Sequence, residues 1–166
     1  MAIVPVRLFP DPVLGGACAP IGEIDDEARA LARDLLDTMR GSSHSVGVAA
    51  PQIGVARRAF CIDVTDHPKA RSCHGEVVVF DPIVVERSGV DVGREGCMSV
   101  PDLTGDVARS ASIVLRGIGV DGNEIVLDAD AFEARAVQHE LDHLDGLLFL
   151  DRVVARDRLY RRRTYR

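Results

Sequence analysis

Aromatic side chains are scarce in this sequence, which has no tryptophan, two tyrosines and five phenylalanines among its 166 residues. Proteins that bind single-stranded nucleic acid often stack the bases on aromatic side chains within a basic groove. Both tyrosines, Tyr160 and Tyr165, lie in the basic C-terminal stretch, where two rings are too few for such a platform. We therefore expect no specific readout of nucleic acid.

Long apolar runs are also absent. No run approaches the roughly 20 residues that span a bilayer, and the N-terminal stretch over residues 1–7 is too short for a signal peptide. The chain has 46% hydrophobic residues and no repeat, low-complexity tract or shift of composition. It is predicted to form one domain over residues 1–166. We expect a cytoplasmic protein with no membrane partner.

The four cysteines lack the paired spacing of a zinc ribbon or a redox motif, which favours reduced thiols over a disulfide framework. They are Cys18, Cys61, Cys73 and Cys97. Cys97 differs from the others because it follows Gly96, whose backbone can approach a site closely. A thiolate there would bind zinc or ferrous iron well. Taken alone, the commoner fate of a single cysteine is that of a small buried hydrophobe.

The segment over residues 138–143 reads Gln-His-Glu-Leu-Asp-His, and its two histidines share one face of any helix that contains them. A helix is predicted from an N-cap at Asp130, with Glu133 completing a capping box, to a left-handed residue at Gly146. His139 and His143 would then be able to bind one divalent cation. The alternative is two exposed histidines on an amphipathic helix.

Glu140 lies beside the two histidines and is suited to take a proton from a metal-bound water. A catalytic metal usually has three protein ligands and one open position. No Glu, His or Cys follows His143, and the acidic residues beyond it are Asp145, Asp151 and Asp157. We therefore expect the third ligand upstream, and Cys97 is the best candidate.

A loop of small residues over positions 45–52 ends in an amide side chain, Gln52. This loop, the segment over residues 95–99 and the histidine segment resemble, in the same order, the three motifs of the peptide deformylase family. The resemblance includes residues 9–14 and the first predicted helix, so it covers nearly the whole chain. It implies a metal-dependent hydrolase that removes the N-formyl group from formyl-methionyl peptides of nascent proteins.

The resemblance also implies roles by position. Glu140 would be the general base and acid, while Gln52 and the backbone N–H of Met98 would donate hydrogen bonds to the oxyanion. The implied metal ligands are Cys97, His139 and His143. Ferrous iron is the metal that the family implies, although two histidines and one thiolate also accommodate zinc, nickel or cobalt.

The expected substrate pocket departs from the family pattern. Its residues would be Ser45, Val46, Gly47, Gly96, Phe132, Arg135 and Ala136. Arg135 stands where the family usually has an apolar residue, four positions before His139 on the same helix face. A guanidinium at the pocket wall would disfavour methionine. The alternative is that its stem packs while its charged head extends into solvent.

Three other functions stay open at this point. The chain could be a paralogue that acts on a different N-formyl or N-acyl amine. It could be a non-catalytic metal-binding homologue, although such a protein would need neither Glu140 nor Gln52. An H-E-x-x-H protease is disfavoured because no downstream glutamate follows the histidines.

Periodicity predicts an α+β fold. Apolar residues recur at helical spacing over residues 28–39 behind a cap at Asp25. Strands are predicted at residues 59–64, 77–80 and 83–85, and a hairpin joins 113–120 to 124–127. The family resemblance implies antiparallel sheets packed around a central metal-binding helix.

Charge is unevenly distributed, because residues 151–166 contain seven arginines and two aspartates within a chain of net charge −6. This basic C-terminal extension could make a weak contact with ribosomal RNA, since arginine clusters attract phosphates. The alternative is a solvated basic helix.

Overall fold

The structure is a computed structural model, and it describes residues 3–162. Within them it has two helices, α1 (Asp26–Gly41) and α2 (Ala131–Leu144), and eight strands. The strands are β1 (Gly47–Ala49), β2 (Ala59–Ile62), β3 (Val77–Ser88), β4 (Asp91–Cys97), β5 (Val100–Arg109), β6 (Ser112–Ile118), β7 (Glu124–Asp130) and β8 (Leu159–Arg161). Neither helix is long and apolar enough to cross a membrane.

The strands form two antiparallel sheets. The larger has the order β1-β2-β3-β6-β7, and the smaller has the order β4-β5-β8. Strand β2 is buried on both faces: Phe60 and Ile62 pack in the same cluster as α2, while Ala59 and Cys61 pack with α1. The larger sheet therefore lies between the two helices, and the predicted α+β class is confirmed.

Helix α1 begins as predicted. The carboxylate of Asp25 accepts a hydrogen bond from the backbone N–H of Ala28 at 2.9 Å, which satisfies one of the free donors of the first turn. Leu31, Leu35 and Met39 are buried against the sheet. The apolar face read from the sequence is therefore the face that joins the core.

Strand β3 is one strand of twelve residues where two were predicted, because the chain continues through Asp81-Pro82. Its pairing with β6 shifts register between Phe80 and Ile83, and Asp81 has a φ of 47°. The Asp81 carboxylate accepts hydrogen bonds from the N–H groups of Ile21 and Gly22. This irregularity accommodates a proline that would otherwise interrupt the strand.

The start of α2 differs from the predicted capping box. Asp130 is at the N-cap but makes no side-chain bond to the helix, and its carboxylate accepts from the N–H of Ser72 at 2.9 Å instead. Glu133 is fully buried and accepts from the Ser72 hydroxyl and from the N–H of His74. The predicted capping box is therefore wrong, because the loop that contains Ser72 and His74 provides hydrogen-bond donors for the carboxylates of Asp130 and Glu133.

The alternative of a basic C-terminal helix is also wrong within the described residues. A short 3-10 segment, Arg156–Arg158, leads directly into β8, which pairs with β5. The last four residues of the predicted extension, 163–166, lie outside the described part of the chain.

Gly146 ends α2 as predicted, with a φ of 75°. A Cβ at this position would lie 2.8 Å from the backbone carbon of Gly16 and 2.9 Å from that of Gly15. Only glycine therefore allows the end of α2 to pack on this turn.

We predict that Gly146→Ala will lower the free energy of unfolding by at least about 2 kcal/mol, because it combines left-handed strain with a backbone clash. The matched control is Gly122→Ala, since Gly122 has a φ of 83° and nothing within 4 Å of an added Cβ. The control should lose about 1 kcal/mol in urea unfolding. Equal losses would contradict the close packing at Gly146.

Candidate metal centre and its pocket

Helix α2 and the end of β4 bring three metal-binding side chains together. The ligand atoms of Cys97, His139 and His143 all lie within 4.8 Å of one another, and Sγ of Cys97 is 3.3 Å from Nε2 of His143. Ligands of one tetrahedral ion are about 3.5 Å apart when metal–ligand bonds are about 2.0–2.3 Å long. The spacing and the donor types fit one divalent ion with a fourth position left open.

Cys97 is suited to bind as a thiolate. Burial alone would raise the pKa of its thiol, but hydrogen bonds with His139 and His143 lower that pKa well below the ordinary value. The thiolate is the form that coordinates metals. Cys97 therefore differs from a cysteine that packs as a small hydrophobe, because its sulfur has two histidine partners.

Glu95 determines how His139 faces the site. Its Oε2 lies 2.9 Å from Nδ1 of His139, so the carboxylate accepts a hydrogen bond from Nδ1–H and leaves Nε2 as the ring nitrogen available to the metal-binding cluster. Burial would raise the pKa of Glu95, but hydrogen bonds from Arg109 and His139 lower it to about 2. Glu95 is therefore an ionised acceptor at neutral pH.

Two buried arginines hold Glu95. Arg109 donates to both carboxylate oxygens at 2.9 Å, and Arg135 donates to Oε1 at 2.9 Å. Arg109 also pairs with Asp142, which lies in the histidine segment and accepts further bonds from Arg152. The sequence could not identify these partners, because they come from separate elements.

Arg135 lines the pocket, but it is not the free charge that the sequence suggested. Its guanidinium donates to the backbone oxygen of Val107 at 2.9 Å and to both the backbone oxygen and the carboxylate of Asp91. The expectation that its head extends into solvent is wrong, because the residue is 6% exposed. The carboxylates and carbonyls of β4 and β5 provide stronger partners than an apolar pocket.

Glu140 is buried and directed at the centre of the site. Its Oε2 has no hydrogen-bond partner within residues 3–162. Burial raises the pKa of this carboxyl to about 6, although His139 and His143 act in the opposite direction. A Cβ at Gly47 would lie 2.6 Å from Oε1 of Glu140, so this glycine makes room for the carboxylate.

Gln52 has a fixed orientation. Its Oε1 accepts the N–H of Ala49 at 2.9 Å, and its Nε2 lies 3.2 Å from Oγ of Ser99 and 3.5 Å from Sγ of Cys97. The carbonyl end is thus occupied, and the NH₂ group faces the metal-binding cluster. Ser99 was not singled out from the sequence, although it directly follows Met98.

A cavity of about 380 Å³ opens beside this cluster. It is lined by every residue predicted for the substrate pocket, namely Ser45, Val46, Gly47, Gly96, Phe132, Arg135 and Ala136. Gln52, Cys97, Met98, His139 and Glu140 also line it, and His143 adjoins it through Cys97. The three sequence motifs therefore surround one space.

Sequence reasoning missed other lining residues. The His67 ring stacks on the Phe132 ring, with centroids 3.4 Å apart and planes 4° from parallel. Ser43, His44, Arg94 and Arg162 complete this part of the wall. No local pattern marked His67, because its loop is brought to α2 by tertiary packing.

Two strand edges border the cavity. Strands β1 and β4 are each terminal in their sheets, so each has a paired neighbour on one side only within the described residues. Gly47 from β1 and residues 94–97 from β4 line the cavity. An extended chain between the edges could form main-chain hydrogen bonds with either strand.

Comparisons with known proteins agree with this architecture. A family model described as polypeptide deformylase matches residues 3–159. Peptide deformylase 1 of Clostridium perfringens is 39% identical over 151 residues, which cover 91% of this chain and 98% of that protein.

Solved structures are similar as well. Peptide deformylase from Ehrlichia chaffeensis in complex with actinonin has a TM-score of 0.87 and 29% identity, covering 95% of this chain and 92% of that one. The Met-Ala-Ser-bound enzyme of Acinetobacter baumannii has a TM-score of 0.84 and 30% identity, covering 92% of this chain and 100% of that one.

We predict that Arg135→Met will lower the free energy of unfolding by about 2–4 kcal/mol, because it removes a buried partner of Glu95 and leaves backbone oxygens unpaired. The matched control is Arg116→Met, which breaks the half-exposed pair with Glu124 and should cost less than about 1 kcal/mol. Urea unfolding of both variants measures the difference. Similar losses would contradict a structural role for Arg135.

Proposed function

The chain belongs to the polypeptide deformylase family, and on that premise we propose that it removes the N-formyl group from formyl-methionyl peptides of nascent proteins. Members of this family are metal-dependent amidohydrolases. The observation that carries the proposal is the buried Glu140, whose Oε2 has no partner within residues 3–162, beside a cluster of two histidines and one cysteine at the cavity. Hydrolysis of a formamide at neutral pH needs an activated water, a polarised carbonyl and a proton for the departing amine, and a metal ion held by these ligands together with Glu140 would supply them.

The proposed metal ligands are Cys97, His139 and His143. A bound divalent ion would lower the pKa of its water and polarise the formyl carbonyl. Ferrous iron is the proposed ion because of the family, and the same ligands also suit zinc, nickel or cobalt. Glu95 keeps His139 in the tautomer that coordination requires, through the bond to Nδ1.

Glu140 acts as the general base and then as the general acid. Burial raises the pKa of this carboxyl, which suits it to accept a proton from the attacking water and to deliver it to the departing amine. Its free Oε2 is the acceptor available for that proton. Gly47 permits this position, because a side chain there would displace the carboxylate.

Gln52 and the backbone N–H of Met98 stabilise the oxyanion that forms from the formyl carbonyl. The Gln52 amide is preorganised, because Ala49 and Ser99 bind its two ends. Such a donor contributes most when it needs no reorganisation in the transition state. No covalent acyl-enzyme is required.

The substrate would bind as an extended chain along the edges of β1 and β4, with Ser45, Val46, Gly47 and Gly96 beside its backbone. Phe132 and Ala136 would contact the side chain of the formylated residue. Methionine is the proposed residue, because the guanidinium of Arg135 is already bound by Glu95 and Asp91. This occupancy also weakens the case for a paralogue with a charged pocket.

We further propose that residues 1–166 act as one catalytic domain in the cytoplasm, and that the basic extension over 151–166 contacts ribosomal phosphates weakly. The excess of arginine in that stretch supports this contact.

Glu140→Ala should reduce formate release from formyl-Met-Ala-Ser by about 10²–10⁴-fold, because it removes the proton carrier while leaving the ligands in place. The protein would be prepared anaerobically with iron or nickel, and its metal content would be measured. Glu86→Ala, which changes an exposed glutamate of β3, is the control and should retain activity. No release by metal-loaded wild-type protein would redirect the search to other acylated amines.

Gln52→Leu should lower kcat by about 10²-fold or more and change KM much less, because its donor acts chiefly in the transition state. Steady-state kinetics with formyl-Met-Ala-Ser would measure both constants. A variant with reduced metal content and unchanged kcat per bound metal would contradict the oxyanion role.

A further inference from the structure

Arg162 reaches the cavity from the far edge of the smaller sheet. Strand β8 pairs with β5 and not with β4, and just beyond it the N–H of Arg162 donates to the backbone oxygen of Asp102 at 2.8 Å. The Arg162 side chain nevertheless lines the cavity bordered by β4. It must therefore cross β5 to reach this position.

Gly96 accommodates the arginine. A Cβ at Gly96 would overlap the Arg162 guanidinium and would lie 3.3 Å from the Thr104 methyl group. The guanidinium thus lies over β4 at Gly96, which is the residue that precedes the proposed ligand Cys97. The absence of a side chain at Gly96 serves this contact as well as the close approach of a substrate.

No carboxylate of residues 3–162 pairs with the charge of Arg162. Within residues 3–162 its guanidinium makes no ion pair and no hydrogen bond, and the residue is exposed to solvent. Two neighbouring charged side chains are already paired: Arg94 pairs with Asp106 and stacks on Tyr160 at 3.6 Å, while Glu95 is held by two arginines. An available cation therefore remains at the mouth of the cavity.

We propose that Arg162 is a specificity residue that favours substrates carrying a carboxylate two or three residues beyond the formyl group. This inference rests on the proposed function. A chain extended along β4 advances about 3.3 Å per residue, so its second or third residue passes Gly96 and Arg94 as it leaves the metal centre. A guanidinium binds a carboxylate in a planar, two-pronged geometry.

The carboxylate has two sources. It is the side chain of an aspartate or glutamate within a longer chain, or it is the C-terminal carboxylate of a short peptide. Two peptide pairs separate them. One pair is formyl-Met-Ala-Ser as the free acid and as the amide, and the other is formyl-Met-Ala-Asp amide and formyl-Met-Ala-Asn amide.

The test compares kcat/KM within each pair for metal-loaded wild-type protein, Arg162→Gln, Arg162→Lys and Arg161→Gln. Arg161 is the matched control, because it is exposed, adjacent and absent from the cavity lining. Wild-type protein should prefer the carboxylate peptide of at least one pair by about two- to five-fold at low salt, mainly through KM. The pair that shows the preference identifies the source.

Arg162→Gln should bring that ratio close to one, Arg162→Lys should keep only part of it because an ammonium lacks the two-pronged geometry, and Arg161→Gln should keep most of it. Added salt should reduce the ratio, because the contact is exposed. An equal loss in Arg161→Gln would overturn the inference in favour of overall charge. A fall of kcat/KM by the same factor for both members of a pair would overturn it in favour of a packing role on β4.

The wild-type ratios separate this inference from the proposed function. Turnover of the neutral peptides without any preference for a carboxylate would overturn the role of Arg162 and leave the deformylase activity intact. Absence of turnover with all four peptides would overturn both.

Discussion

The carboxylate of Glu95 is the constraint on which the site depends. It lies on β4, yet it is bound by Arg109 from β5 and by Arg135 and His139 from α2. A buried charge is costly unless it is fully paired, and here three partners surround it. One carboxylate therefore joins the smaller sheet to the helix and fixes the ring orientation of a proposed metal ligand.

Two further groups come from the first strand of the larger sheet and the segment that follows it. Gly47 lies in β1, Gln52 follows in the adjoining 3-10 segment, and both contact groups at the centre of the site. Cys97, from the smaller sheet, lies beside Gln52, with its Sγ 3.5 Å from Nε2 of the amide. The proposed catalytic groups thus come together where both sheets meet α2, and an ion bound by Cys97 and the histidines would link β4 to α2 by a further connection.

Local signals in the sequence account for much of this structure. The i, i+4 spacing of His139 and His143 and the apolar stripe of α1 depend on neighbouring residues, so they could be predicted. Strands β4 and β5 were missed because residues 91–109 contain three glycines and many charges, and their pairing is decided by each other. The partners of Arg135 lie 28 to 44 positions away, and no periodicity reports them.

The buried ion pair between Arg135 and Glu95 affects how the attachment of α2 to β4 changes with temperature. The hydration of charged groups becomes less favourable as temperature rises, so the cost of removing both ions from water falls. A contact between apolar side chains at the same place would not gain in this way, because it has no ionic desolvation cost that falls on heating. The attachment of α2 to β4 is therefore relatively stronger in a heated protein than an aliphatic contact would be, and the geometry around His139 should persist closer to the unfolding temperature.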